Sequence, residues 1–199
     1  MNLIGLTGGV GMGKTTAANF LQERGLPVID TDVLAREVVE PGRQAWEEIR
    51  RVFGPEVLGP DNRLRRDELA RLVFSDTARR QQLEAIVHPR IREHWLAQVE
   101  LWRAERQPSA VVVIPLLFET NAAASFDTIL CVACSAATQH QRLLARGWSR
   151  EQIEQRIQAQ WPVEKKMALA SCVIWTEGEV SVHEQQIDRF LTPVKGGQL

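Results

Sequence analysis

The chain has 199 residues, 44% of them hydrophobic and 25% charged, with a formal net charge of −1. That length buries one sizeable core with room for a smaller appended lobe, and the near-neutral balance supplies no global basic field for a nucleic acid or an anionic membrane. No apolar run reaches membrane-spanning length and "MNLIGLTGG" lacks the basic and apolar regions of a signal peptide, so a cytoplasmic protein is expected, a setting that suits its three cysteines.

The first predicted element is a buried strand, "NLIGLT" (Asn2–Thr7), short, apolar and bounded by glycine. A glycine-rich turn leads into "KTTAANFLQERG", where Ala17, Ala18, Phe20 and Leu21 share a helical stripe and Gly25 marks the stop. "LPVID" (Leu26–Asp30) reads as a second strand and "VLAREVV" (Val33–Val39) as a helix ending before Pro41. Strands alternating with helices imply a parallel sheet covered on both faces.

From Arg43 to about Gln107 the chain is charge-rich and helical in period, with no clear strand. This reads as a helical lobe inserted in the sheet domain; its Trp95, Val99 and Trp102 recur at helical spacing, as packing residues do. "AVVVIPLLFE" (Ala110–Glu119) then returns to a buried strand ending at Pro115, and "FDTILCVAC" is another. The C-x-x-C of Cys131 and Cys134 falls inside that strand, without a second ligand pair, and is read as packing. "AATQHQRLLARG" (Ala136–Gly147) is a helix, and the polar helical segment after it begins at a cap region around Ser149 and Gln152. "CVIWT" closes the sheet, "GEVSVHEQQIDRFL" is a last helix, and "TPVKGGQL" is expected to fray.

The turn after the first strand carries the chemistry. Five glycines fall within residues 4–13, and Gly8 to Thr15 fits G-x-x-x-x-G-K-[ST], a match expected by chance on the order of 1% in a chain this long. Glycines let successive amide N–H groups curl around a phosphate, and the helix start adds unpaired donors and partial positive charge. Lys14 brings a full charge to the outer phosphates, and the Thr15 hydroxyl suits Mg²⁺. The dinucleotide pattern G-x-G-x-x-G fails, because Lys14 stands where its last glycine belongs.

A metabolite kinase needs a base, a substrate lobe and closing cations. Asp32, in "IDTD" at the carboxyl edge of the sheet, suits a group that orients and deprotonates an acceptor hydroxyl, with a helix-cap role as the alternative. Arg142 and Arg146 lie one helical turn apart and share a face. With the polar segment that follows they suggest a lid that closes on phosphoryl oxygens and keeps water out.

In order along the chain, "GLTGGVGMGKTT", "VIDTDVLAREVVEPG", "VHP" (Val87–Pro89), "PLLFE" (Pro115–Glu119), "QRLLAR" (Gln141–Arg146) and "RIQAQ" (Arg156–Gln160) together resemble the dephospho-coenzyme A kinase family over about residues 3–175. The resemblance implies a three-layer α/β P-loop fold with a parallel sheet (about residues 1–42, 108–145 and 171–191). It also implies an inserted helical substrate-binding lobe (about 43–107) and a helical lid (about 146–170). The implied reaction moves the γ-phosphoryl of ATP, with Mg²⁺, to the ribose 3′-hydroxyl of dephospho-CoA. By position, Gly11, Met12, Gly13, Lys14, Thr15 and Thr16 would hold the ATP phosphates, Asp32 would be the base, and Arg36 and His88 would line the substrate side. Arg142, Arg146 and Lys165 would belong to the lid region. Met12 stands where serine is frequent, and Trp175–Thr176 where an asparagine-x-glycine turn is usual, so Trp175 is a candidate to stack on adenine. A kinase for another small metabolite, or an ATP-binding module without transfer, are the alternatives.

Overall fold

Strand β1 (Asn2–Gly8) lies at the centre of a parallel sheet ordered β2-β3-β1-β4-β5, with β2 at Val28–Asp30, β3 at Ser109–Val113, β4 at Thr128–Ala133 and β5 at Cys172–Trp175. A computed structural model describes residues 1–74 and 76–192; most of the "TPVKGGQL" tail, from residue 193, lies outside them. In register, Ile4 faces Val111 of β3 and Thr128 of β4, and Leu130 faces Cys172 of β5.

Both faces of the inner strands are apolar, which is why "AVVV" runs without alternation. On one face Ile4, Leu6, Val111, Val113, Leu130, Val132 and Ile174 pack with Ala17, Ala18 and Leu21 of α1 (Lys14–Glu23) and Ile187 of α9 (Val180–Leu191). On the other, Ala133, Cys134 and Val173 meet Met12 and the Val163 and Met167 side chains of α8 (Val163–Leu169). Burial of each such Val, Leu or Ile contributes ~1.5–3 kcal/mol, so this three-layer arrangement holds the ends of the strands, and the loops that leave them, in place.

Strand β3 stops at Val113, and the "PLLFE" residues that follow form a turn segment rather than its continuation. α6 (Ala136–Ala145) is capped by Ser135, whose hydroxyl accepts from Thr138 N. The polar segment after it divides at Pro162 into α7 (Arg150–Gln158) and α8. α7 opens with a complete capping box between Ser149 and Gln152, as their spacing suggests. α8 is not a solvated piece: its Lys166 is fully buried.

The chain forms two compact units, Met1–Ile29 with the described part of Arg106–Leu199, and Asp30–Glu105. The second contains α2 (Thr31–Glu37), α3 (Gln44–Phe53), α4 (Arg66–Phe74) and α5 (Thr77–Ala104) around Val38, Ala45, Ile49, Phe53, Val57, Leu69 and Ile86. Asp76 caps the 28-residue α5 by accepting from Ala78 N and Arg79 N. Trp95, Val99 and Trp102 are buried, in keeping with a packing stripe. α2 starts and ends two residues earlier than the expected Val33–Val39, and its cap differs as well. Its cap is Asp30, whose carboxylate accepts from Asp32 N at 2.8 Å, while Asp32 sits inside the first turn. The extended conformation at Asp30 explains the choice, since a cap residue lies outside helical dihedrals.

Candidate active site

The turn between β1 and α1 is shaped by two glycines in left-handed conformations, Gly11 at φ 75° and Gly13 at φ 97°. A Cβ on Gly11 would lie 2.8 Å from Leu143 Cγ, and one on Gly13 would lie 3.3 Å from Thr176 Cγ2. Both the dihedral and the space therefore demand glycine. Gly13 is also the first residue before α1, and it offers no side chain to cap the helix. A helix start without a side-chain cap, carrying the positive end of the helix dipole, is a place that can receive an anion. Lys14 Nζ donates to Gly8 O at 2.9 Å and Gly9 O at 3.0 Å, which folds its ammonium back over the turn. Thr15 is exposed, Thr16 half-buried, and the Met12 side chain is buried against Ala133 and Cys134.

Long-range side chains brace this turn. Val10 N donates to Gln160 Oε1 at 3.1 Å, and Val10 O accepts from Gln139 Nε2 at 2.7 Å. Thr176 Oγ1 donates to Met12 O at 2.9 Å and accepts from Arg142 Nη1 at 2.9 Å, while Arg142 Nη2 donates to the Thr176 carbonyl. Arg142, near the end of α6, is thus joined to the glycine turn through one buried threonine. Arg146, one turn on at the C-cap of the same helix, is exposed. Beside Thr176, the Glu177 carboxylate accepts from the Thr138 hydroxyl at 2.7 Å and from both the hydroxyl and the amide of Ser135. These donors, Thr138 first, hold its pKa below the usual carboxylate range.

Trp175 ends β5 and is 43% exposed. Its backbone is fixed on both sides by Gln186, which accepts from Trp175 N at 2.9 Å and donates to Trp175 O at 2.8 Å. Lys165 places its Nζ 3.2 Å from the centre of the Trp161 ring, a cation–π contact.

In the helical unit, Asp32 and Arg36 are exposed one turn apart on α2, so they share a face. His88 is half-buried on α5, just before Pro89. Arg90, the residue after that proline, pairs with Glu48 of α3 at 3.1 Å.

Among the described residues no cluster of three or more His, Cys, Asp or Glu could hold a metal ion. Cys131, Cys134 and Cys172 are free, and burial pushes the Cys131 thiol up to about 11, which makes it a poor nucleophile or ligand. Sequence reasoning missed the brace residues Gln139, Gln160 and Thr176. Gln160 lies in "RIQAQ", which is the signal that pointed nearest to it; nothing in the sequence marked Thr176 as a hub.

A family model described as Dephospho-CoA kinase matches residues 2–181. A curated relative from Bacillus cereus carrying that name is 42% identical over 190 residues, covering 95% of each chain. Among solved structures, TT1252 from Thermus thermophilus is 39% identical, with a TM-score of 0.82 over 98% of both chains. A dephospho-CoA kinase from Campylobacter jejuni, at 21% identity and a TM-score of 0.65 over 95% of both chains, shares the fold.

Proposed function

The chain belongs to the dephospho-CoA kinase family, and from that premise we propose how its own residues carry the reaction. An enzyme of this kind joins the γ-phosphoryl of ATP to the ribose 3′-hydroxyl of dephospho-CoA, giving CoA and ADP. The observation that carries the proposal is the uncapped start of α1 behind a glycine turn, with the Lys14 ammonium gathered over it.

Gly11, Met12, Gly13, Lys14, Thr15 and Thr16 hold the ATP phosphates, the Met12 amide itself being engaged by Gly9 O at 3.2 Å inside the turn. Lys14 exchanges the Gly8 and Gly9 carbonyls for phosphate oxygens, a gain because charge-assisted bonds are the stronger kind. Phosphoryl transfer asks the protein mainly for positioning and charge stabilisation. Arg142 holds Thr176, and through it Met12, in place. Arg146, exposed on the same helix, meets the phosphoryl oxygens as the α7 segment closes. Asp32 orients the acceptor hydroxyl and takes its proton; its carboxylate is spared the capping task by Asp30. As the 3′-oxygen bonds to the γ-phosphorus, the bond from that phosphorus to the β–γ bridging oxygen breaks and ADP leaves. Arg36, beside Asp32 on α2, and His88 serve the dephospho-CoA side. Trp175 offers its exposed ring to the adenine of ATP.

Mg²⁺ fits this donor set. An ion that travels with a triphosphate keeps several waters and needs few protein oxygens. The Thr15 hydroxyl, exposed in the first turn of α1, is the one offered. When bound, the ion neutralises charge on the phosphate oxygens. The three free cysteines suit a reducing cytoplasm, and among the described residues no helix is long and apolar enough to cross a membrane.

The test is ADP release with Mg-ATP and a panel of acceptors: dephospho-CoA, AMP, CMP, shikimate and none. Selective turnover of dephospho-CoA is expected. Preference for another acceptor, or release independent of any, would overturn the reading.

A further inference from the structure

The largest fully buried side chain among the described residues is that of a lysine, Lys166 in α8. Its Nζ lies 2.8 Å from Glu119 Oε1 and donates to Pro115 O at 2.7 Å. The other carboxylate oxygen, Glu119 Oε2, is buried with no hydrogen-bond partner. Such a pair is poorly optimised for stability. Desolvating two charges offsets most of their attraction, and apolar side chains of similar volume commonly do as well or better.

What the pair holds gives it a different purpose. The same Glu119 Oε1 accepts the Trp161 amide at 2.8 Å, and the Trp161 ring stacks on Phe118, nearly parallel at 3°. The Pro115 carbonyl also accepts from Thr7 Oγ1 at 3.2 Å, near the end of β1 just before the glycine loop. One residue before Trp161, Gln160 holds the Val10 amide. Pro162 then starts α8, which brings Lys166 back one turn later to the carboxylate that fixed Trp161. The charges therefore close a circuit from β1, through the segment after β3, to residues 160–166 and back to the loop. Val10 stands between Gly9 and Gly11, residues of the type with the widest backbone freedom. A loop left to order itself on binding would lose affinity for its ligand.

We propose that Glu119 and Lys166 are positioning residues for the phosphate loop: the buried pair fixes residues 160–162 so that Gln160 presets the Val10 peptide for a triphosphate. The inference rests on the reading that this loop binds ATP. It adds no contact to substrate, so its signature is a change in nucleotide affinity with little change in turnover of the bound complex.

The double variant Glu119→Leu/Lys166→Met removes both charges and keeps the volume. Calorimetric binding of a nonhydrolysable ATP analogue, with no acceptor present, is expected to weaken about tenfold, the equivalent of one hydrogen bond's worth of preorganisation. The double variant should remain cooperatively folded, because removing two desolvated charges offsets the hydrogen bonds lost at Trp161 N and Pro115 O. KM for ATP should rise in parallel, with kcat and KM for dephospho-CoA changed by less than about threefold. Gln160→Ala should weaken analogue binding by a similar factor, and the triple variant should add nothing further, because both changes release the same peptide. Glu119→Gln/Lys166→Met restores an acceptor for Trp161 N and should recover part of the affinity. A folded double variant with unchanged analogue affinity overturns the proposal, as does full additivity with Gln160→Ala. Should the double variant not fold, unchanged affinity in Gln160→Ala alone overturns it. Since binding is read without an acceptor, an unaltered chain that binds the analogue but fails to phosphorylate dephospho-CoA refutes the functional reading and leaves this test intact.

Discussion

Replacing Thr176 with valine removes one buried hydroxyl and almost no volume, and it tests whether the brace behind the glycine loop matters. The hydroxyl accepts from the Arg142 guanidinium at 2.9 Å and donates to Met12 O at 2.9 Å, in a residue only 3% exposed. A bond to a charged group contributes ~1.5–3 kcal/mol and a neutral one ~0.5–1.5 kcal/mol. Arg142 keeps its second contact, to the Thr176 carbonyl, and is only half-buried, so water recovers part of the first bond. The Met12 carbonyl has no such recourse. The expected cost is therefore about 2 kcal/mol, which for a chain of this size lowers the melting temperature by about 4–8 °C. Differential scanning calorimetry reads that shift, and steady-state kinetics should show a raised KM for ATP, because Met12 O and its loop lose their restraint. A variant that melts within about 1 °C of the unaltered chain and keeps its KM refutes the brace, since the hydroxyl would then carry less than a single net hydrogen bond.

Lys14→Ala deletes a charge-assisted contact of ~1.5–3 kcal/mol, so kcat/KM for ATP should fall at least about ten- to hundredfold; near-unaltered turnover would contradict its assignment. Asp32→Asn should abolish most turnover while analogue binding survives. If kcat is preserved, Asp32 is not the base. His183 is buried against Phe20, and burial first, then the charge of Arg142, depress its pKa. Its neutral ring supports the fold fully above the ordinary value of about 6.5, and that support is lost as pH falls through the depressed folded value. Between about pH 7.5 and 5.5 the unaltered chain should therefore lose more melting temperature than His183→Leu; equal losses would remove His183 from the account.

What the sequence made legible was whatever depends on neighbours along the chain. Continuous apolar runs marked β1, β3 and β4 because both faces of those strands are covered. Ser149 and Gln152 announced the start of α7 at a spacing of three. The Lys14–Thr15 placement after glycines located the phosphate loop, and Gly11 and Gly13 do adopt dihedrals that few other residues tolerate. What stayed hidden are polar partners brought together from far apart. Val10 and Gln160, or Met12 and Thr176, lie more than a hundred residues from each other, and no periodicity encodes their pairing. Lys166 was hidden for a related reason. A lysine in a polar segment reads as solvated, and only Glu119 and the Pro115 carbonyl, both contributed by the turn after β3, make its burial tolerable. Asp32, next to the apolar helical run, was the cap the sequence suggested, and the extended backbone conformation at the end of β2 gives that place to Asp30 instead.

The most direct measurement is the backbone amide spectrum of the chain during titration with a nonhydrolysable ATP analogue and Mg²⁺. Saturable shifts concentrated at Gly11, Gly13, Lys14, Thr15 and Thr16, weakened in Lys14→Ala, are the predicted result. Analogue binding that leaves those amides unmoved would contradict the account.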